Sequence, residues 1–125
     1  MDQLRLRIGP RAAFVVAPGD VTLRRIERRS ARRLLLALAE RRASRPELPL
    51  TVAELAAHGW PDERMRASSA ANRVYVAICH LRRNGLRDVL HSDRSGYWLD
   101  ETIEVVHVDR RAAVREASGD RNVAA

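Results

Sequence analysis

Hydrophobic and polar residues change their spacing several times along this chain, and each change marks an expected element. Leu4, Leu6 and Ile8 alternate with Arg5 and Arg7, the period-two pattern of a half-buried strand. The run Phe14, Val15, Val16 follows, then the turn signal "APGD" at 17–20. Pro18 suits the first central position of that turn and Gly19 a positive φ at the second. "VTL", continuing through Arg24 to Ile26, completes a small antiparallel sheet within residues 1–28.

The period then lengthens, and three helices are expected over residues 30–88. Ser30 offers an N-cap to "ARRLLLALAERRAS", whose inner stripe is Ala31, Leu34, Leu35 and Leu38. Arg32, Arg33, Arg41 and Arg42 fall outside that stripe. "SRPELP" (44–49) ends the helix, and Thr51 with Glu54 forms a capping box for a second, with Val52, Leu55 and Ala56 as its buried face. Gly59 and Pro61 stop it, with Trp60 between them as an anchor. A polar linker, "DERMRASS", leads to a third helix over 69–84, capped by Ser68 or Ser69 and closed by Gly85. Val74, Ile78 and Leu81 give it a core-facing side. Arg73, Ala77, His80, Asn84 and Arg87 recur at the same spacing about half a turn away, with Arg83 beside them, and predict an outward face. Val89 and Leu90, "HSDRSG" and "GYWL" then read as a hairpin over 89–99 with its tip near Asp93 to Gly96. "TIEVVHV" (102–108) reads as one more strand, grouped with the hairpin, and 110–125 as a flexible tail.

The expected fold class is therefore α+β, a winged helix-turn-helix spanning residues 1–109. It comprises an N-terminal antiparallel sheet, three helices and a C-terminal β-hairpin wing. The first two helices form a platform holding the third with its polar face outward. A helix fits the DNA major groove, and a hairpin reaches an adjacent phosphate or minor groove.

Charge supports that direction. The net charge is +7, from 23 basic residues against 16 acidic ones, and every basic residue is arginine. The missing lysine reports a GC-rich genome more readily than a need for guanidinium chemistry, but a basic surface attracts polyanions whatever its origin. Residues 24–45 hold nine arginines against Glu27 and Glu40, and residues 68–88 hold four against Asp88. Residues 89–109 hold Arg94 against Asp93, Asp100, Glu101, Glu104 and Asp109, so the last third is not a general polyanion surface. Aromatic residues make up only 4%, which leaves the core to Leu, Val, Ile and Ala.

No apolar run approaches the ~18 residues of a membrane span, and the first ten residues lack the apolar stretch of a signal peptide. A cytoplasmic location without membrane association is the expectation. The single cysteine, Cys79, excludes an internal disulfide framework, and it reads as a small helix residue rather than a redox switch. His58, His80, His91 and His107 have no metal-ligand spacing, and neither a G-x-S-x-G motif nor a phosphate-binding glycine loop is present. No catalytic residue, metal or cofactor is expected, and the chain does not read as an enzyme.

"LAAHGWPD", then "NRVYVAICHLRRNGL", then "SGYWLD" resembles the OmpR/PhoB-type effector domain of bacterial response regulators. The resemblance covers roughly residues 4–100, including the N-terminal sheet, here without a receiver domain. It implies that control acts in trans, through concentration or through a portion of a larger protein, within two-component-like signalling. Arg82 aligns with an arginine that commonly reads a base in that family, and Tyr97 with the wing tyrosine at the hairpin base. Asn72 and Arg73 replace a frequent Arg-Thr pair. Tyr75 stands where an acidic residue is common, Ala77 where a histidine often is, and His80 in place of a contact residue. Asp93 falls where an arginine often enters the minor groove, with Arg94 one place later.

The expected contacts to double-stranded DNA are Ser69, Asn72, Arg73, His80, Arg82, Arg83, Arg87 and Arg94. Arg73 and Arg82 or Arg83 are candidates for guanine edges or phosphates, and Arg87 for phosphate. The arginines of "RRIERRSARR" (24–33) read as a solvated face. Family members generally bind as dimers, so homodimerisation is implied by the resemblance. The alternative is a protein-interaction module, with Tyr75, Val76, Ala77 and Cys79 on helix 69–84 facing a protein partner. In that reading the acidic stretch 100–109 pairs with the arginine-rich first helix of a neighbour.

Overall fold

The structure, a computed structural model, describes residues 4–109. Its strands are β1 (Arg5–Ile8), β2 (Phe14–Val16), β3 (Leu23–Arg25), β4 (Leu90–Asp93), β5 (Gly96–Leu99) and β6 (Glu104–His107). Its helices are α1 (Arg29–Ser44), α2 (Val52–Gly59) and α3 (Ala67–Leu81), in the order sheet, helices, hairpin. The fold is α+β with a winged-helix arrangement.

In β1, Leu6 and Ile8 are buried and Arg5 is exposed, as the alternation requires, while Leu4 lies before the strand and is 56% exposed. β1 and β3 flank β2 in antiparallel register, and the Ala17–Asp20 turn closes on a backbone hydrogen bond of 3.0 Å with Gly19 at φ 78°. The last strand corrects two expectations. β6 lies beside β1 rather than with the wing, and it runs parallel to it, so the sheet order β3-β2-β1-β6 is mixed. A parallel neighbour requires a long crossover, and here all the helices and the hairpin run between the two strands. The pair is pinned by Arg5 Nε donating to Glu104 Oε1 at 2.7 Å, across 99 positions of sequence.

The α1 stripe Ala31, Leu34, Leu35 and Leu38 is buried, together with Val74, Ile78 and Leu81 of α3. Among the described residues no polar or charged residue is buried, so the core contributes shape and transfer free energy but no directional bonds. Direction comes from its rim. Arg41 of α1 donates to the carbonyls of Leu48 (3.2 Å) and Pro49 (3.0 Å) and to Glu54 Oε2 (2.8 Å). Arg42 donates to the carbonyls of Asp100 (3.2 Å), Glu101 (3.1 Å) and Ile103, which ties the β5–β6 connection to α1. Arg32 donates to the carbonyl of Ile26 at the entry to α1.

Helix ends differ from expectation where serine was the signal. α1 begins at Arg29 with Arg28 as N-cap, and α3 at Ala67 with Arg66 as N-cap; neither has a side-chain cap bond. Ser30, Ser68 and Ser69 lie inside the first turns. A serine caps only where the backbone is still extended, and these helices start one or two residues earlier. α3 ends at Leu81, and a wider, π-type turn carries the chain through Arg82–Leu86, with Gly85 at φ 104°.

The capping box at α2 forms as read. Glu54 N donates to Thr51 Oγ1 at 3.1 Å, and Thr51 N to Glu54 Oε1 at 2.9 Å. The Thr51 backbone N–H, followed by Arg41, holds the Glu54 carboxyl at about 2, well below its ordinary 4.5. A depressed carboxyl stabilises the fold above its unfolded value, and that contribution fades as pH falls from 4.5 towards 2. In urea titrations Thr51→Ala is expected to lower the unfolding free energy by about 1 kcal/mol at neutral pH. Glu54→Gln should flatten the part of the acid limb between pH 4.5 and 2, measured by thermal melts across that range.

Candidate nucleic-acid interface

The wing is held in place from two sides. Its β5 strand bonds back to the α1–α2 connection through Leu50 N to Tyr97 O and Tyr97 N to Leu50 O, both 2.9 Å. The approach is close enough that a Cβ on Gly96, which sits at φ 137°, would lie 2.1 Å from the Leu50 carbonyl oxygen. From the other side Arg82 reaches across from the end of α3. Its Nη2 donates to Leu90 O at 2.9 Å and to Ser92 Oγ at 3.3 Å, and its Nε to Leu90 O at 3.2 Å. Arg82, expected to read a base, thus fixes β4 to the helix. Its position on the polar side of α3 is the same for either role, so spacing alone does not separate them.

The outward face of α3 also differs from the expected one. Ala77 is 2% exposed and packs in the core, and His80 turns inward. The His80 Nε2 atom is buried without a hydrogen-bond partner; burial, then Arg28 and Arg83, push its pKa down. The ring is half-buried with its Nε2 enclosed, so His80 offers less to a ligand than the exposed Asn72 and Arg73 on the same helix. The face that meets solvent runs through Ser68, Ser69, Asn72, Tyr75 and Val76. Tyr75 is 58% exposed and Val76 39%. The helix is a quarter-turn out of phase with the expected basic stripe, because a 3.6-residue period read from small residues such as Ala77 leaves the facing ambiguous.

Arg73 is exposed but occupied. Its Nη1 donates to Glu63 Oε1 at 2.7 Å, and its guanidinium lies 5.8 Å from the centroid of the half-buried Trp60. Both partners of that ion pair are open to solvent, so it contributes at most about 1 kcal/mol and yields readily to a phosphate or base edge. Arg83, Arg87 and Arg94 are exposed and make no hydrogen bond or ion pair among the described residues. Arg87 shares with Arg82, Leu90, His91, Ser92 and Trp98 an open cleft of about 580 Å³ between the end of α3 and the wing. Behind the cleft, His91 Nε2 meets Asp100 Oδ2 at 2.9 Å. The Thr102 hydroxyl, then His91 and the Thr102 N–H, hold Asp100 at about 2.

The acidic stretch is used within the chain: Asp100 binds His91 and Thr102, Glu104 binds Arg5, and Arg42 of α1 covers the carbonyls between them. No group of three or more His, Cys, Asp or Glu residues placed to hold a metal occurs among the described residues, nor does a helix long and apolar enough to cross a membrane. The expected tail, 110–125, lies outside the described residues. No protein-family model, curated protein or solved structure matches the chain.

Arg82→Ala is expected to cost roughly 1–2 kcal/mol in urea denaturation, because it leaves the Leu90 carbonyl without its charged donor. Amide exchange should quicken across 90–99. Arg83→Ala, which removes no bond, should stay within about 0.5 kcal/mol of the parent.

Proposed function

We propose that the chain is a DNA-binding domain of a bacterial transcriptional regulator of the OmpR/PhoB type, working in the cytoplasm on double-stranded DNA. The observation that carries this reading is the cleft between α3 and the wing, with Arg87 on its wall and Arg83 and Arg94 unpaired nearby in sequence. A shallow, open depression of this kind, between the turn after α3 and the hairpin, suits a sugar–phosphate strand crossing between major-groove and wing contacts. In this arrangement α3 enters the major groove with Ser69, Asn72 and Arg73 towards the bases. Arg73 exchanges Glu63 for guanine or phosphate. Arg83 and Arg87 hold the backbone, and Arg94 at the wing tip reaches the neighbouring groove. Arg82 acts through β4 as a positioning residue.

A second reading rests on Tyr75 and Val76, adjacent exposed apolar residues in the middle of the face that would enter the groove. Tyrosine is enriched at protein interfaces and uncommon against phosphate, which favours a protein partner docking on α3.

Fluorescence anisotropy on random-sequence duplex between about 50 and 200 mM salt separates the two. DNA binding predicts a steep log–log dependence. Arg83→Ala/Arg87→Ala/Arg94→Ala should reduce its magnitude by about 2–3, at 0.9 per phosphate contact. Asn72→Ala should weaken a selected target by roughly 1–3 kcal/mol and leave random duplex unchanged. Absence of binding at low salt with the fold intact would sink the reading and favour the protein partner.

A further inference from the structure

We propose that a second surface, formed by the β3–α1 junction and the end of α3, also contacts the backbone of the same DNA duplex. It rests on the duplex-binding reading above and extends it to a side of the domain where the sequence suggested only a solvated face. Arg24 and Arg25 of β3, Arg28 and Arg29 at the start of α1, and Arg83 just beyond α3 are all exposed. None of their side chains makes a hydrogen bond or ion pair among the described residues. Folding brings Arg24, Arg28 and Arg83 to one corner. A Cβ on Gly85 would lie 3.4 Å from Arg24 Cδ, and the His80 ring feels both Arg28 and Arg83. The acidic groups at this corner are Asp20, beside Arg24, and Glu27, beside His80. Asp20 already accepts the Val21 and Thr22 N–H groups. Arg83, just beyond α3, lies at this corner beside His80 and joins it in sequence to the surface formed by the end of α3.

The corner is also assembled against its own stability. The N-terminal end of a helix carries partial positive charge and favours acids and oxygen caps. The first turn of α1 has neither, and holds arginines instead; α3, preceded by Arg66, also lacks both, whereas α2 has a complete capping box. Repulsion among the arginines and against the helix end is relieved when a polyanion lies across them. A local conflict retained in an otherwise consistent helix is what a binding surface produces.

The test uses the full chain on a random-sequence duplex extending past the α3–wing footprint, with the patch variant Arg24→Gln/Arg28→Gln/Arg29→Gln beside the cleft variant Arg87→Gln/Arg94→Gln. The patch variant should flatten the salt slope by about 2–3, with unchanged circular dichroism. Arg28→Asp should move two readouts in opposite directions, raising Tm by a few degrees while weakening binding. A patch variant that keeps the parental slope while the cleft variant loses its own would overturn the inference and leave the proposed function standing. Flattening by the patch variant alone would uphold this surface and remove the α3–wing contact. No duplex binding by the parent would overturn both.

Discussion

Guanidinium groups bonded to main-chain carbonyls determine how the parts of this domain are joined. The core is wholly apolar among the described residues, and apolar packing fixes shape but supplies no directional bonds to the loops that leave it. The joints are instead fixed where the chain leaves regular structure. Arg32 holds the entry to α1, Arg41 the α1–α2 connection, Arg42 the β5–β6 connection and Arg82 the wing. A loop carbonyl at the edge of a core needs a donor, and arginine supplies several in a rigid planar fork without ever losing its charge. All four are half-buried, their heads bonded to the chain beyond the core. Placement of the wing relative to α3, and hence any groove-and-backbone geometry, depends on these bonds.

That division changes what the net charge means. A formal +7 counts all the arginines alike, but those donating to internal carbonyls have little capacity left for a ligand. The exposed ones without a side-chain partner among the described residues, Arg11, Arg24, Arg25, Arg28, Arg29, Arg45, Arg64, Arg66, Arg83, Arg87 and Arg94, carry the field that a polyanion would meet. They are spread over the chain, with Arg28 and Arg29 at the start of α1, Arg64 and Arg66 before α3, Arg83 and Arg87 after it and Arg94 in the wing. The core stripe of α1 separates its first-turn arginines from Arg41 and Arg42, which face the loops instead.

Local rules made much of the fold legible. The alternation at Leu6 and Ile8, the Ala17–Asp20 turn, the Thr51–Glu54 capping box, the inner stripes of α1 and α3 and the hairpin around Asp93–Gly96 all depend on residues a few positions apart. What stayed hidden depends on distance in sequence. Nothing within 102–108 says that it will pair in parallel with β1, since the Arg5–Glu104 bond spans the whole fold. Serine positions misplaced the starts of α1 and α3, because a cap is defined by where the backbone turns and not by which residue is available. The outward face of α3 was misjudged at Ala77, because alanine is tolerated on either side of a helix, and His80 is only half exposed, with its Nε2 enclosed.

The roles of the arginines were the least legible of all, for the same reason. Arg82 and Arg83 are adjacent on one polar side of the chain, yet one is held by Leu90 and Ser92 and the other is free. The difference arises about a hundred degrees apart around the helix end, where the first points at the returning β4 strand and the second past it. A pattern search assigns both to a ligand with equal weight. Only the position of the strand decides, and that position is itself set by the Leu50–Tyr97 pairing and the close approach that Gly96 permits. The candidate site is therefore a consequence of the wing's docking. A substitution that loosens β5 from Leu50 would release Arg82 and change which guanidinium groups are free, without touching a single residue of the surface proposed to meet DNA.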